Sequence, residues 1–166
     1  MSTVDMVLSP VQQAKRPLLL RPGKSGVAFR RRFTPANSNM NLLSCGEYDI
    51  PPQAESQEFG LPREEALLFQ WKGDSSVVVD GQPFSLAPYD TLYIPRGTGF
   101  RLTNPTTEPS RIVQTSAPAE NVHPACHCRF AEISQREDRI RQTGERYWVG
   151  DRHKQLFTGT GAPITT

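Results

Sequence analysis

Residues 64–104 read EEALLFQWKGDSSVVVDGQPFSLAPYDTLYIPRGTGFRLTN, and this stretch decides the fold. Short β-type runs alternate in it with turn residues. Residues 66–71 stop at Lys72-Gly73-Asp74, and Val77-Val78-Val79 meets Asp80-Gly81, a two-residue hairpin signal that favours a primed turn. Phe84-Ser85-Leu86 leads into Ala87-Pro88-Tyr89-Asp90, residues 91–94 stop at Pro95-Arg96-Gly97, and residues 100–104 stop at Pro105. Working outward, similar runs cover residues 18–20, 27–33, 40–48 and 111–115, each closed by a proline-containing turn. Short runs at a spacing of roughly ten residues predict an all-β sandwich or barrel. One weak helix is expected near residues 131–141, and no solenoid repeat is present.

The chain of 166 residues is sized for one domain with its own core. Its 15 prolines and 12 glycines favour many short strands. With 19 basic and 17 acidic residues the net charge of +2 argues against a nucleic-acid partner. The basic clusters, Arg30-Arg31-Arg32 and residues 136–152, read as solvated faces. No apolar run reaches the length of a membrane span, and the first residues lack a secretory pattern. The three cysteines (Cys45, Cys126, Cys128) are therefore expected as free thiols in a cytoplasmic protein. The expected organisation is a loose polar arm over residues 1–16, a barrel over residues 17–118, and a charged extension over residues 119–166.

The quoted stretch resembles the two motifs of the cupin superfamily. The first motif places two histidines and a glutamate before a strand and a glycine. The second runs from a Gly-Asp turn through Pro-x-Gly-x-x-His to an asparagine. Three imidazoles and a carboxylate on neighbouring inward strands make a shell for a divalent metal. This chain keeps Pro95-Arg96-Gly97-Thr98-Gly99 and Asn104, yet Phe100 stands at the third histidine's place. Gln57-Glu58-Phe59-Gly60-Leu61 stands where the paired histidines belong, and no histidine precedes His123. Glu65 falls at the glutamate position. The resemblance implies a single cupin-type jelly-roll β-barrel, with no metal and no other cofactor expected.

A closer resemblance joins residues 90–98 to Ser116-Ala117-Pro118-Ala119, with a lead-in through Phe33-Thr34-Pro35, Leu42-Leu43 and Glu64-Glu65-Ala66-Leu67. The pattern is similar to the amino-terminal half of the family of 5-deoxy-glucuronate isomerase and 5-keto-4-deoxyuronate isomerase. That family has two cupin barrels in one chain, with the metal ligands in the carboxy-terminal one. The resemblance implies an isomerase-like cupin of inositol or uronate catabolism, of which this chain is the metal-free barrel. Its alternative is a non-catalytic cupin that binds a small acidic ligand or serves as a structural or partner subunit.

The residues expected to line a ligand site are Glu65, Tyr93, Arg96, Phe100 and Arg111. The arginines would meet the carboxylate of an acidic sugar in the bidentate way guanidinium groups do. Phe69 and Trp71 share a strand face and are expected in the core. His123, Cys126, His127 and Cys128 have soft-ligand spacing, but a structural zinc site wants a second, distant pair and only His153 is available for it. Cys126 and Cys128 are expected as small core residues on one strand face. Exposed strand edges favour a homodimer or larger assembly.

Overall fold

The computed structural model describes residues 19–20, 26–142 and 152–154. The arm expected over residues 1–16 and the end of the chain beyond residue 154 lie outside the described residues. The chain forms β1 (Leu19–Leu20), β2 (Ala28–Phe33), β3 (Ser44–Ile50), β4 (Phe59–Gly60), β5 (Glu64–Lys72), β6 (Ser75–Val79) and β7 (Gln82–Leu86). It continues through β8 (Thr91–Ile94), β9 (Gly99–Thr103), β10 (Ser110–Pro118) and β11 (Cys126–Cys128). A one-turn helix α1 (Phe130–Ile133) precedes β12 (Ile140–Gln142) and β13 (Arg152–Lys154).

Two antiparallel sheets make the jelly roll. The larger has the order β1-β2-β3-β10-β5-β8-β11, and the smaller has β4-β9-β6-β7. The order is not sequential because β10 lies between β3 and β5, the crossing that distinguishes a jelly roll from a meander. β6 and β7 are joined by Asp80 and Gly81 at φ 48° and 80°. That is the primed hairpin turn expected from the sequence, and it requires left-handed backbone at both positions.

Strict alternation assigns the faces. On β5, Ala66, Leu68 and Gln70 are buried while Leu67 and Phe69 are half-buried on the other face. On β10, Ile112, Gln114 and Ser116 face inward, and on β6 Val77 and Val79 do. Inner residues of the two sheets, with Leu92, Ile94, Phe100 and Leu102, form one contiguous core. Burying these side chains supplies the main driving force, since each aliphatic or aromatic group removed from water is worth about 1.5–3 kcal/mol.

Several local expectations change. Residues 40–43 do not form a strand; Met40 and Leu42 are exposed and the strand begins at Ser44. The helix expected over residues 131–141 shrinks to four residues, followed by a 3-10 turn (Glu137–Arg139) and β12. Apolar residues do not recur there at helical spacing, and Ile133 alone in α1 is buried. Trp71 is not core: it sits on the outer face of the large sheet with 55% of its surface exposed. Phe69 shares that outer face beside it, with ring centroids 6.2 Å apart. Cys126 and Cys128 do share a face, as expected for a strand, but it is the half-buried outer one; they pair with Tyr93 and Thr91.

Candidate functional site

The interior of the barrel is filled by rings. Phe29, Tyr48, Phe59 and Phe100 follow one another with centroid separations of 4.5, 5.6 and 4.4 Å. Phe100 is fully buried and lies directly across from Phe59 in the β4–β9 register. A cavity of about 170 Å³ remains beside this row, lined by Val27, Phe29, Tyr48, Phe59 and the segment Ser56-Gln57-Glu58. Its lining offers one carboxylate and no imidazole. Among the described residues, no three His, Cys, Asp or Glu side chains converge as a metal would require. The donor set for the metal that the fold commonly carries therefore does not fit this interior.

The second motif nevertheless does its structural work. The Pro95-Arg96-Gly97-Thr98 turn closes with Thr98 N donating to Pro95 O at 3.3 Å, and Gly97 N donates to Leu61 O at 3.0 Å. Asn104 is fully buried; its amide nitrogen donates to Ile50 O and Glu108 O at 3.1 and 2.7 Å. Its carbonyl oxygen accepts from Thr106 N at 2.9 Å. Asp90 is almost buried and ties the end of the described barrel together: it accepts from Ala87 N, Phe130 N and His127 Nε2.

Polar groups gather at one end of the barrel, the mouth. Tyr48 donates its hydroxyl to Gln114 Oε1 at 2.7 Å, and Ser116 donates to Glu64 Oε2 at 2.8 Å. Glu64 shares the inward parity of Ala66 and Leu68. Arg31 pairs across the sheet with Gly46, and its guanidinium lies 5.6 Å from the centre of the Phe29 ring. Gly46 is required there: a Cβ on it would stand 2.4 Å from the Phe29 ring. Arg31 and Glu64, with Leu61, Pro62 and Arg63, line an open recess of about 400 Å³. Neither Arg31 nor Arg63 forms an ion pair with a described residue, whereas Arg30 and Arg32 turn outward onto Glu47.

The five residues expected in one site are dispersed. Phe100 is in the core. Arg111 lies on the outer face and its Nε is 2.8 Å from Asp49 Oδ1. Arg96 is half-buried in the β8–β9 turn. Glu65 and Tyr93 come together, the tyrosine hydroxyl donating to Glu65 Oε2 at 2.7 Å, but on the outer face of the large sheet. Desolvation, then the Glu65 hydrogen bond and charge, push the Tyr93 hydroxyl up to about 12. His127 packs edge-on to Phe84 and is held by Asp90, while His123 is exposed in the loop before β11. Sequence reasoning missed Arg31 and Glu64. Of three consecutive arginines on a strand, one must face opposite to the other two, and that alternation was the available signal.

No family model and no curated protein matches the sequence. Solved structures do resemble it. A candidate glyoxylate-induced protein from Pseudomonas aeruginosa superposes with a TM-score of 0.61 at 20% identity, covering 70% of this chain and 46% of its own. The E. coli protein Ylba gives 0.62 at 18% identity, covering 73% of this chain and 51% of its own. The cupin domain of Cnp3 from Schizosaccharomyces pombe gives 0.52 at 18% identity, covering 64% and 71%. These likenesses establish the cupin fold. The chain spans about half the length of the first two proteins. No helix among the described residues is long and apolar enough to cross a membrane.

Proposed function

We propose that this chain is a non-catalytic cupin barrel whose mouth binds a small carboxylic acid through Arg31 and Arg63. The observation that carries the reading is Phe100: a buried ring packed on Phe59 takes the place of the third metal-binding histidine. With one carboxylate on the inner cavity there is no shell to polarise a substrate carbonyl. What the inner face does offer is a guanidinium at the rim, in a recess of ligand size.

The similarity of residues 90–98 and 116–119 to sugar-acid isomerases supports a uronate-like acid as the ligand, in inositol or uronate catabolism. On that reading proton transfer belongs to a separate, metal-bearing barrel, and this one works beside it or as a homodimer. The purified chain is titrated with glucuronate by calorimetry, assayed for isomerisation with zinc or manganese added, and weighed by light scattering. Saturable binding that Arg31→Met abolishes, without turnover, is the expected result. Turnover accompanied by a stoichiometric metal would overturn the reading, and so would glucuronate binding that survives Arg31→Met. A mass near 18.6 kDa would remove the dimer.

A further inference from the structure

A second recess lies on the opposite side of the large sheet. It has a volume of about 330 Å³ and is formed over β5, β8 and β10, with the loop before β11 at its rim. Glu65 and Tyr93 stand in it, Leu43, Leu67 and Ala117 give it apolar walls, and His123 closes one side. The Tyr93 hydroxyl donates to Glu65 Oε2 at 2.7 Å. Glu65 Oε1 receives no hydrogen bond from a described residue, and no described lysine, arginine or histidine lies within ion-pair distance of the carboxylate.

The arginines of this sheet face are engaged elsewhere. Arg30 and Arg32 hold Glu47, and Arg111 holds Asp49. Among the described residues, the groove thus presents a carboxylate with one oxygen open, beside the apolar walls of Leu43, Leu67 and Ala117, and without a countercharge. A carboxylate so placed attracts a charged donor far more strongly than a neutral one, and it repels an acid. We propose that this groove binds a small organic cation, an amine or guanidinium carrying a short hydrocarbon body. The cationic head meets Glu65 Oε1, and the body covers Leu43, Leu67 and Ala117. Tyr93 positions the carboxylate: its own hydroxyl stays protonated to about pH 12, so it remains a donor to Oε2 at any ordinary pH. The site differs from the barrel mouth in both face and sign of charge, and so stands independently of the proposal for the mouth.

The test uses the full chain with n-butylamine, n-butanol and butyrate as probes, followed by calorimetry and amide chemical shifts. Butylamine is expected to saturate and to shift Leu67 and Tyr93, with butanol and butyrate weaker by roughly tenfold or more, the value of one charge-assisted hydrogen bond. Glu65→Gln is expected to bring butylamine down to the level of butanol. Leu67→Lys, which supplies an internal cation on an outward strand position, is expected to abolish amine binding with the fold retained. Arg31→Met at the barrel mouth is expected to leave it unchanged. Equal binding of amine and alcohol, no saturable amine binding, or an amine preference surviving both Glu65→Gln and Leu67→Lys would overturn the proposal.

Discussion

Phe59 and Phe100 face each other across the β4–β9 pair with ring centroids 4.4 Å apart at an interplanar angle of 60°. This tilted geometry adds about 0.5–1.5 kcal/mol to the area both rings bury. The consequence is that the position at which the cupin motif has its third histidine is here part of the core. Phe100→Ala is expected to cost about 3–5 kcal/mol by denaturant unfolding. Phe100→His places an imidazole at that position without other ligands around it among the described residues. It is expected to destabilise the fold by burying a polar ring, and to take up no stoichiometric zinc by metal analysis. Zinc uptake by that variant would show that latent ligands remain in the interior.

Gly46 offers a sharper probe of the mouth. A methyl group there meets two carbons of the Phe29 ring at 2.4 and 2.7 Å and the Arg30 carbonyl at 2.9 Å. The carbonyl is backbone and cannot retreat alone. Gly46→Ala is expected to lower stability by about 1–3 kcal/mol, the usual cost of forcing one extra group into a packed site. Because Phe29 carries the Arg31 guanidinium, glucuronate binding should weaken together with stability. A folded Gly46→Ala protein of full stability would mean that the ring moves freely.

The strands of the centre were legible because alternation and turn chemistry agreed there, as at Val77-Val78-Val79 with Asp80-Gly81. β4 and β11 were not, since two or three residues carry no periodicity and their pairing comes from Phe100 and Tyr93 far along the chain. The site was less legible for one reason. In Glu64-Glu65 a shift of a single residue exchanges the inner and outer faces. Composition cannot distinguish the two; the pairing of Ser116 with Ala66 does, and it sends Glu64 inward and Glu65 out. Trp71 was misjudged for a related reason: an aromatic residue on an alternating strand says which neighbours share its face, not which face is covered.

Tyr93 should betray its partner by titration. Its hydroxyl ionises near 12 in the folded chain against 10 for an ordinary tyrosine. The folded state therefore holds this proton more tightly than the unfolded state. The resulting stability is fully present below pH 10 and is lost as pH rises toward 12. Stability measured across that window should fall more steeply for the native sequence than for Tyr93→Phe. The difference in tyrosinate absorbance between the two proteins should have its midpoint near 12. In Glu65→Gln the midpoint should move down but stay above 10, because desolvation is the larger cause and remains. An unchanged midpoint in Glu65→Gln would refute the pairing.

Asp90 is the knot between the barrel and the segment after it. Its carboxylate accepts from Ala87 N at 3.1 Å, from Phe130 N at 2.8 Å and from His127 Nε2 at 3.1 Å. An amide can keep the Phe130 bond and can exchange roles with the imidazole, whose tautomer is free to change. It cannot satisfy Ala87, because an amide nitrogen then opposes a backbone N–H. Asp90→Asn is thus expected to cost about 1–3 kcal/mol, the penalty for a buried donor left unmade. The loss should be local. Among the described strands β11 pairs with β8 alone, so its amides should exchange faster while those of β5 and β10 keep their protection. Burial, then the neighbouring Cys126, holds the Cys128 thiol above its ordinary ionisation range. Releasing the strand should return it toward that range and speed its alkylation by iodoacetamide at pH 8, since the thiolate is the reacting species. Cys45, raised chiefly by its own burial between β2 and β10, serves as the internal control and should react at its former rate. Equal acceleration at Cys45 and Cys128 would mean that Asp90 stabilises the whole barrel rather than the attachment of its last strand.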